Sequence, residues 1–180
     1  MEAPEGLVYQ PELLPEELEK ELLDVLEKLQ FDPIVIRGQA ARRTARHYGL
    51  DYDYEARTPM PGEPVPEWLE PAREIAAEFA GFTPDKLAEI LVQRYPPGSA
   101  IGWHRDAPAF GTVIGLSLAG SSRLRFQRGK AEARSVYEVM LEPRSGYVLA
   151  GKARTSWQHS IPPTKELRYS ITFRTLRREA

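Results

Sequence analysis

Apolar positions in the first thirty residues recur at helical spacing. Leu18, Leu22, Val25, Leu26 and Leu29 fall on one side of a 3.6-residue repeat, behind Pro15 and a run of glutamates. Proline is tolerated in a first turn, where its missing N–H has no helical partner, and acids favour the positive end of the helix dipole, so an amphipathic helix is expected here. Over residues 37–71 the periodicity dissolves among aromatics, prolines and charges, which predicts short strands and turns that form a recognition surface. A second helix is expected over 70–80, closed by Gly81, and Thr83-Pro84-Asp85 opens a further short one. From Leu87 onward the period changes to two. Strands are expected at 89–95, 113–118, 122–127, 135–141, 146–150, 157–160 and 168–176. Short strands this closely spaced predict a sandwich or jelly roll rather than a parallel α/β sheet. With no internal repeat, linker or low-complexity tract, the pattern describes one domain over 1–180: helices and loops of 1–86 packed on a β core formed by 87–176.

Composition narrows the class. A chain of 180 residues, 42% apolar and 28% charged, has the size and balance of a globular domain. It holds no apolar run near the roughly 20 residues that cross a bilayer. The start is acidic and lacks the basic and apolar regions of a signal peptide, so a cytoplasmic monomer that meets no membrane is expected. There are no cysteines, which excludes disulfides and leaves imidazole and carboxylate as the ligands for any transition metal. Charge is uneven: residues 1–119 carry 11 Lys and Arg against 21 Asp and Glu, residues 120–180 carry 13 against 5. The basic end is either a patch for a polyanion such as nucleic acid or the electrostatic complement of the acidic half.

Chemistry concentrates in YPPGSAIGWHRDAPAFG. In an extended segment residues two apart share a face, so His104 and Asp106 can converge on one ion, although such a pair also arises as a surface contact. His159 follows a strand-like segment 55 positions later and can be brought across a closed β fold. Two imidazoles and one carboxylate form the facial triad of non-haem Fe(II) oxygenases, with positions left open for a 2-oxo acid and O₂. In the last strand, RYSITFR, alternation puts Arg168, Ser170, Thr172 and Arg174 on one face and Tyr169, Ile171 and Phe173 on the other. Two guanidinium groups on a well-packed strand need anions. A dicarboxylate would satisfy both through bidentate forks, and salt bridges to the acidic half are the alternative.

Taken together, His104-x-Asp106, His159 and the five-residue spacing between Arg168 and Arg174 resemble the AlkB family of Fe(II)/2-oxoglutarate dioxygenases. QRYPPG and RRTARHYGLDYDY resemble that family's cosubstrate-contacting tyrosine strand and its lid, so the likeness covers roughly residues 7–176. The resemblance implies an α+β, mainly β fold, a double-stranded β-helix (jelly roll) core with N-terminal helices packed against it. It implies Fe(II) on His104, Asp106 and His159, with 2-oxoglutarate held by Tyr95, Arg168 and Arg174. Succinate and CO₂ would form as a substrate C–H bond is oxidised, and hydroxylation of an N-methyl group would release formaldehyde. Gln93, Ser170 and Pro108 depart from the family's pattern; several base-repair members carry an acid where Pro108 stands. The leading expectation is demethylation of an alkylated base in DNA or RNA, flipped out of any duplex, with Arg43, Tyr48, Tyr52, Tyr54 and Trp103 contacting it. Hydroxylation of a protein side chain or a modified tRNA nucleoside is the second expectation, and a non-catalytic binding module the third.

Overall fold

The computed structural model describes residues 2–53 and 56–179. Strand β1 (Leu7–Gln10) and helix α1 (Glu16–Leu26) are followed by β2 (Asp32–Ile36), β3 (Gln39–Asp53) and β4 (Thr58–Pro61). Helix α2 (Glu70–Ala80) comes next, with Gly81 ending it in the left-handed conformation, φ 82°. The remainder is β5 (Glu89–Tyr95), β6 (Ile101–His104), β7 (Phe110–Leu118), β8 (Ser122–Arg128), β9 (Ser135–Leu141), β10 (Gly146–Leu149), the short α3 (Gly151–Thr155), β11 (Gln158–Ile161) and β12 (Arg168–Leu176). Among the described residues no helix is long and apolar enough to cross a membrane.

Pairing is antiparallel throughout. The larger sheet runs β1-β10-β7-β12-β5-β3-β2, with β4 added on β3, and the smaller runs β6-β11-β8-β9. Period-two alternation explains the layering. On β12, Tyr169, Ile171 and Phe173 turn toward the helices and pack with Leu22 and Leu26 of α1 and Ala72, Ala76 and Ala77 of α2. Arg168, Ser170, Thr172 and Arg174 turn the other way, into the space between the sheets. The two sheets meet through Val113 and Leu149 on one side and Leu124, Phe126, Leu141 and Ile161 on the other. A jelly roll with helices on its outer face is thus what the alternation builds.

The reading of residues 1–86 as helices and loops, with short strands and turns over 37–71, needs correction, because this part also supplies β1, β2 and a single long β3 beside the short β4. Strand β3 is 15 residues long and lies between β5 and β2. It hides in the sequence because its positions are Arg, Thr, His and Tyr rather than a clean apolar set: Arg43, Thr44 and Arg46 are half-covered, His47 is exposed and Tyr48 is buried. The β2–β3 hairpin turns on Arg37 and Gly38, with φ of 51° and 80°, the double positive φ that matches strand twist in a two-residue turn. At Gly49 the strand leaves β5. A Cβ there would lie 2.3 Å from the Ala88 carbonyl oxygen and φ is 78°, so only glycine fits, and beyond it β3 pairs with β4 as a projecting hairpin.

Candidate active site

Antiparallel register solves the problem of the distant histidine. Strands β6 and β11 are neighbours, and His159 stands directly opposite His104, their ring centroids 4.3 Å apart. Asp106 follows β6 in a short loop and directs Oδ1 to 3.5 Å from Nε2 of both rings. The three ligand atoms lie within 4.8 Å of one another. His104 Nδ1 is 2.8 Å from the Gly102 carbonyl; that oxygen can only accept, so Nδ1 carries the proton and Nε2 presents its lone pair. Burial holds His159 below its ordinary value, with Asp106 opposing, which keeps the imidazole neutral and able to ligate. Burial alone would raise the Asp106 carboxyl. Arg174 and the two imidazoles outweigh it and hold the group well below the usual carboxylate range. The donor set, without thiolate and with two neutral imidazoles and an ionised carboxylate, fits Fe(II).

Beside the triad lies a small cavity lined by Tyr95, Tyr147, Arg168, Ser170, Thr172 and Arg174. Arg168 is 1% exposed and donates from Nε and Nη2 to Ser117 Oγ at 2.9 and 2.7 Å, its guanidinium lying 4.9 Å from the Tyr95 ring centroid. Its Nη1 is buried without a protein partner, as is Ser170 Oγ. A buried cationic donor left open in this way calls for an anionic acceptor such as a carboxylate. Arg174 is placed differently. Its Nε donates to Asp106 Oδ2 at 2.8 Å and its Nη1 to Glu89 Oε1 at 2.7 Å, so it binds two protein carboxylates.

On the other side the triad opens into a cleft of about 1020 Å³. Of the residues expected to contact a base, Arg43, Tyr52 and Trp103 line it. Tyr52 meets Phe110 at 5.6 Å between centroids, and Trp103 lies on the rim under the Arg125 guanidinium, 5.4 Å away. Tyr48 does not take part. It is 5% exposed and packs edge-on against Trp68 in the helix-side core, because alternation on β3 points residue 48 away from the face that carries His47. Tyr54 lies outside the described residues.

A family model for the 2OG-Fe(II) oxygenase superfamily matches residues 6–174. The chain belongs to that superfamily. Like its other members, this oxygenase uses Fe(II), 2-oxoglutarate and O₂. Its relatives make it AlkB-like: it is 30% identical over 158 residues to the alpha-ketoglutarate-dependent dioxygenase AlkB of Salmonella typhimurium, covering 76% of this chain and 68% of that protein. It is also 29% identical over 168 residues to the mouse tRNA (carboxymethyluridine(34)-5-O)-methyltransferase ALKBH8. That match takes in 90% of this chain but only 25% of the mouse protein's length. The solved structure of OsALKBH1 superimposes with a TM-score of 0.71 at 16% identity, over 97% of this chain and 98% of that one. A Pseudomonas putida prolyl-4-hydroxylase does so with a TM-score of 0.65 at 14% identity, over 96% and 93%. These two likenesses support the jelly-roll fold.

The oxygenase carries further residues at its site that spacing did not reveal. Tyr147 on β10 enters the small cavity, where burial raises its phenol to about 12. It fits because Gly115 faces it: a Cβ there would lie 2.2 Å from the ring. Arg154 on α3 is 8% exposed and donates to the carbonyls of Ala107, Phe110 and Gly111 at 2.7, 2.9 and 2.9 Å, fastening the loop that carries Asp106. Glu89 lines the cleft beside Arg174. Only the Gly146-Tyr147 pair in SGYVL and the lone arginine ahead of His159 stand out in the sequence; neither identifies a partner without the strand register.

Proposed function

We propose that this protein demethylates alkylated bases in DNA or RNA by Fe(II)- and 2-oxoglutarate-dependent oxidation, with His104, Asp106 and His159 holding the metal. The observation that carries the reading is the cleft: Arg43, Arg57, Arg105 and Arg177 line a space that opens onto the triad, and the last three are exposed. Guanidinium groups around a concave opening favour a polyanionic strand, and Tyr52, Phe110 and Trp103 offer ring faces to a base turned out of its stack. On the cosubstrate side, Arg168, with its open Nη1, takes one carboxylate of 2-oxoglutarate, with Tyr95 and Tyr147 walling the same cavity, and Arg174 fixes Asp106. Bound Fe(II) and 2-oxoglutarate supply the oxidising power; the chain binds, orients and keeps water from the reacting carbon. One N-methylated base, one 2-oxoglutarate and one O₂ become the unmethylated base, formaldehyde, succinate and CO₂.

A second reading has its own support. Pro108, which lines the cleft, offers no side-chain acceptor to an alkylated base, and the mouse relative's name refers to tRNA. On that reading the target is a carbon of a modified tRNA nucleoside and the product a stable alcohol. Incubation with methylated DNA, methylated RNA and modified tRNA separates the two by mass spectrometry. Succinate formed with matching formaldehyde supports demethylation; succinate with a substrate gain of one oxygen and no formaldehyde supports hydroxylation. Succinate uncoupled from every nucleic acid would count against both.

A further inference from the structure

Arg174 sits between two carboxylates, and only one of them belongs to the triad. Asp106 takes Nε through Oδ2, while Glu89 takes Nη1 through Oε1 at 2.7 Å. Glu89 offers no ligand atom to the metal group. It stands directly opposite Arg174 in the β5–β12 register, so the pair is a cross-strand contact built into two adjacent strands of the larger sheet. Both side chains are covered, 5% exposed for Glu89 and 13% for Arg174. Burying a second carboxylate this close to the first is unfavourable unless it meets a cation, and Arg174 is that cation.

The arrangement has two consequences for Asp106. A single bond from Nε would leave the guanidinium free to pivot about it, whereas Glu89 gives the planar fork a second fixed point. Oδ2 is then held, and Oδ1 is the oxygen left facing both imidazoles. Charge acts in the same direction. An uncompensated guanidinium at 2.8 Å would draw electron density from Asp106 and repel a cation bound beside it; the Glu89 carboxylate offsets that charge.

We infer that Glu89 is a positioning residue for the metal centre, acting through Arg174 to set the orientation and donor strength of Asp106. The inference rests on the triad as the metal site and is independent of the organic substrate. Its test is anaerobic titration of the full chain with Co(II) alone, followed by visible absorption, beside a thermal melt of each variant. Glu89→Gln keeps the shape and removes the charge. It is expected to bind Co(II) about 10- to 100-fold more weakly, with a changed absorption band and a melting temperature close to the unaltered protein's. Glu89→Asp keeps the charge but shortens the reach, and is expected to fall between the two. Unchanged affinity and spectrum in Glu89→Gln would overturn the inference. Should that variant fail to fold, Glu89→Asp decides: weakened binding supports it and unchanged binding overturns it. His159→Ala is the control for the triad itself, and unaltered Co(II) binding there would overturn the triad and the role of Glu89 together.

Discussion

Asp106 is the side chain on which the charges of the site converge, since two imidazoles and a guanidinium share its two oxygens. Asp106→Ala is expected to leave a folded protein whose 2-oxoglutarate decarboxylation falls at least about 100-fold, because a facial triad cannot hold its metal with two imidazoles alone. Succinate assay and circular dichroism check the two halves of that statement. Arg168→Ala removes the open donor of the small cavity and is expected to raise the 2-oxoglutarate requirement about tenfold or more while Co(II) binding stays intact. An unchanged requirement would remove Arg168 from the cosubstrate site. His159 sets a pH dependence. Its folded value lies below the ordinary 6.5, so the unfolded chain takes up the proton first as pH falls. The metal-free protein should therefore be most stable above about pH 6.5 and lose stability from there down through the folded value of His159. Denaturant melts across that window check the sign, and His159→Gln should flatten the slope. His104, Asp106, Arg168 and Arg174 are readable in the chain because spacing of two and alternation along one strand are local properties. Glu89 and Tyr147 are not, since each acquires its role from the residue that strand register sets opposite or beside it.

Among the elements, the strands from β5 onward other than β6, which was not expected, were legible because apolar alternation marks them, and Arg168–Leu176 carries its two-faced character in seven consecutive letters. β3 was illegible for the opposite reason: Arg, His and Tyr serve there at once as strand, cleft wall and core. Tyr48 shows the ambiguity, since an aromatic among arginines reads as a base-stacking ring and the fold uses it as packing. Tyr48→Ala is accordingly expected to cost about 3 kcal/mol of stability, measured by urea denaturation, with little change in nucleic-acid binding by the folded fraction. Gly115 joins strand geometry to chemistry. Gly115→Ala puts a methyl group into the Tyr147 ring, and is expected to push the phenol into the small cavity and raise the 2-oxoglutarate requirement, which steady-state succinate formation would reveal.

For the whole molecule, the larger sheet has helices on one face and the smaller sheet on the other, and this gives the cleft a rigid floor under a projecting wall. Beyond Gly49 the β3–β4 hairpin lies largely outside that core: β4 pairs with β3 and its residues are mostly exposed. Its amides are expected to exchange with solvent orders of magnitude faster than those of β12, whose strand is buried between β5 and β7. Equal protection in the two would show the hairpin to be part of the core.

The facing histidines give the ion a mechanical meaning as well. His104 and His159 sit 55 positions apart in the chain and side by side in space, on the edge strand of the smaller sheet and its neighbour. An ion held by both is a removable staple across that length of chain, and its bonds close a loop that the unfolded chain must otherwise close by chance. Metal loading is then also a measure of how firmly the edge of the smaller sheet is fastened, and two preparations of the same sequence with different iron content are, physically, two proteins of different stiffness.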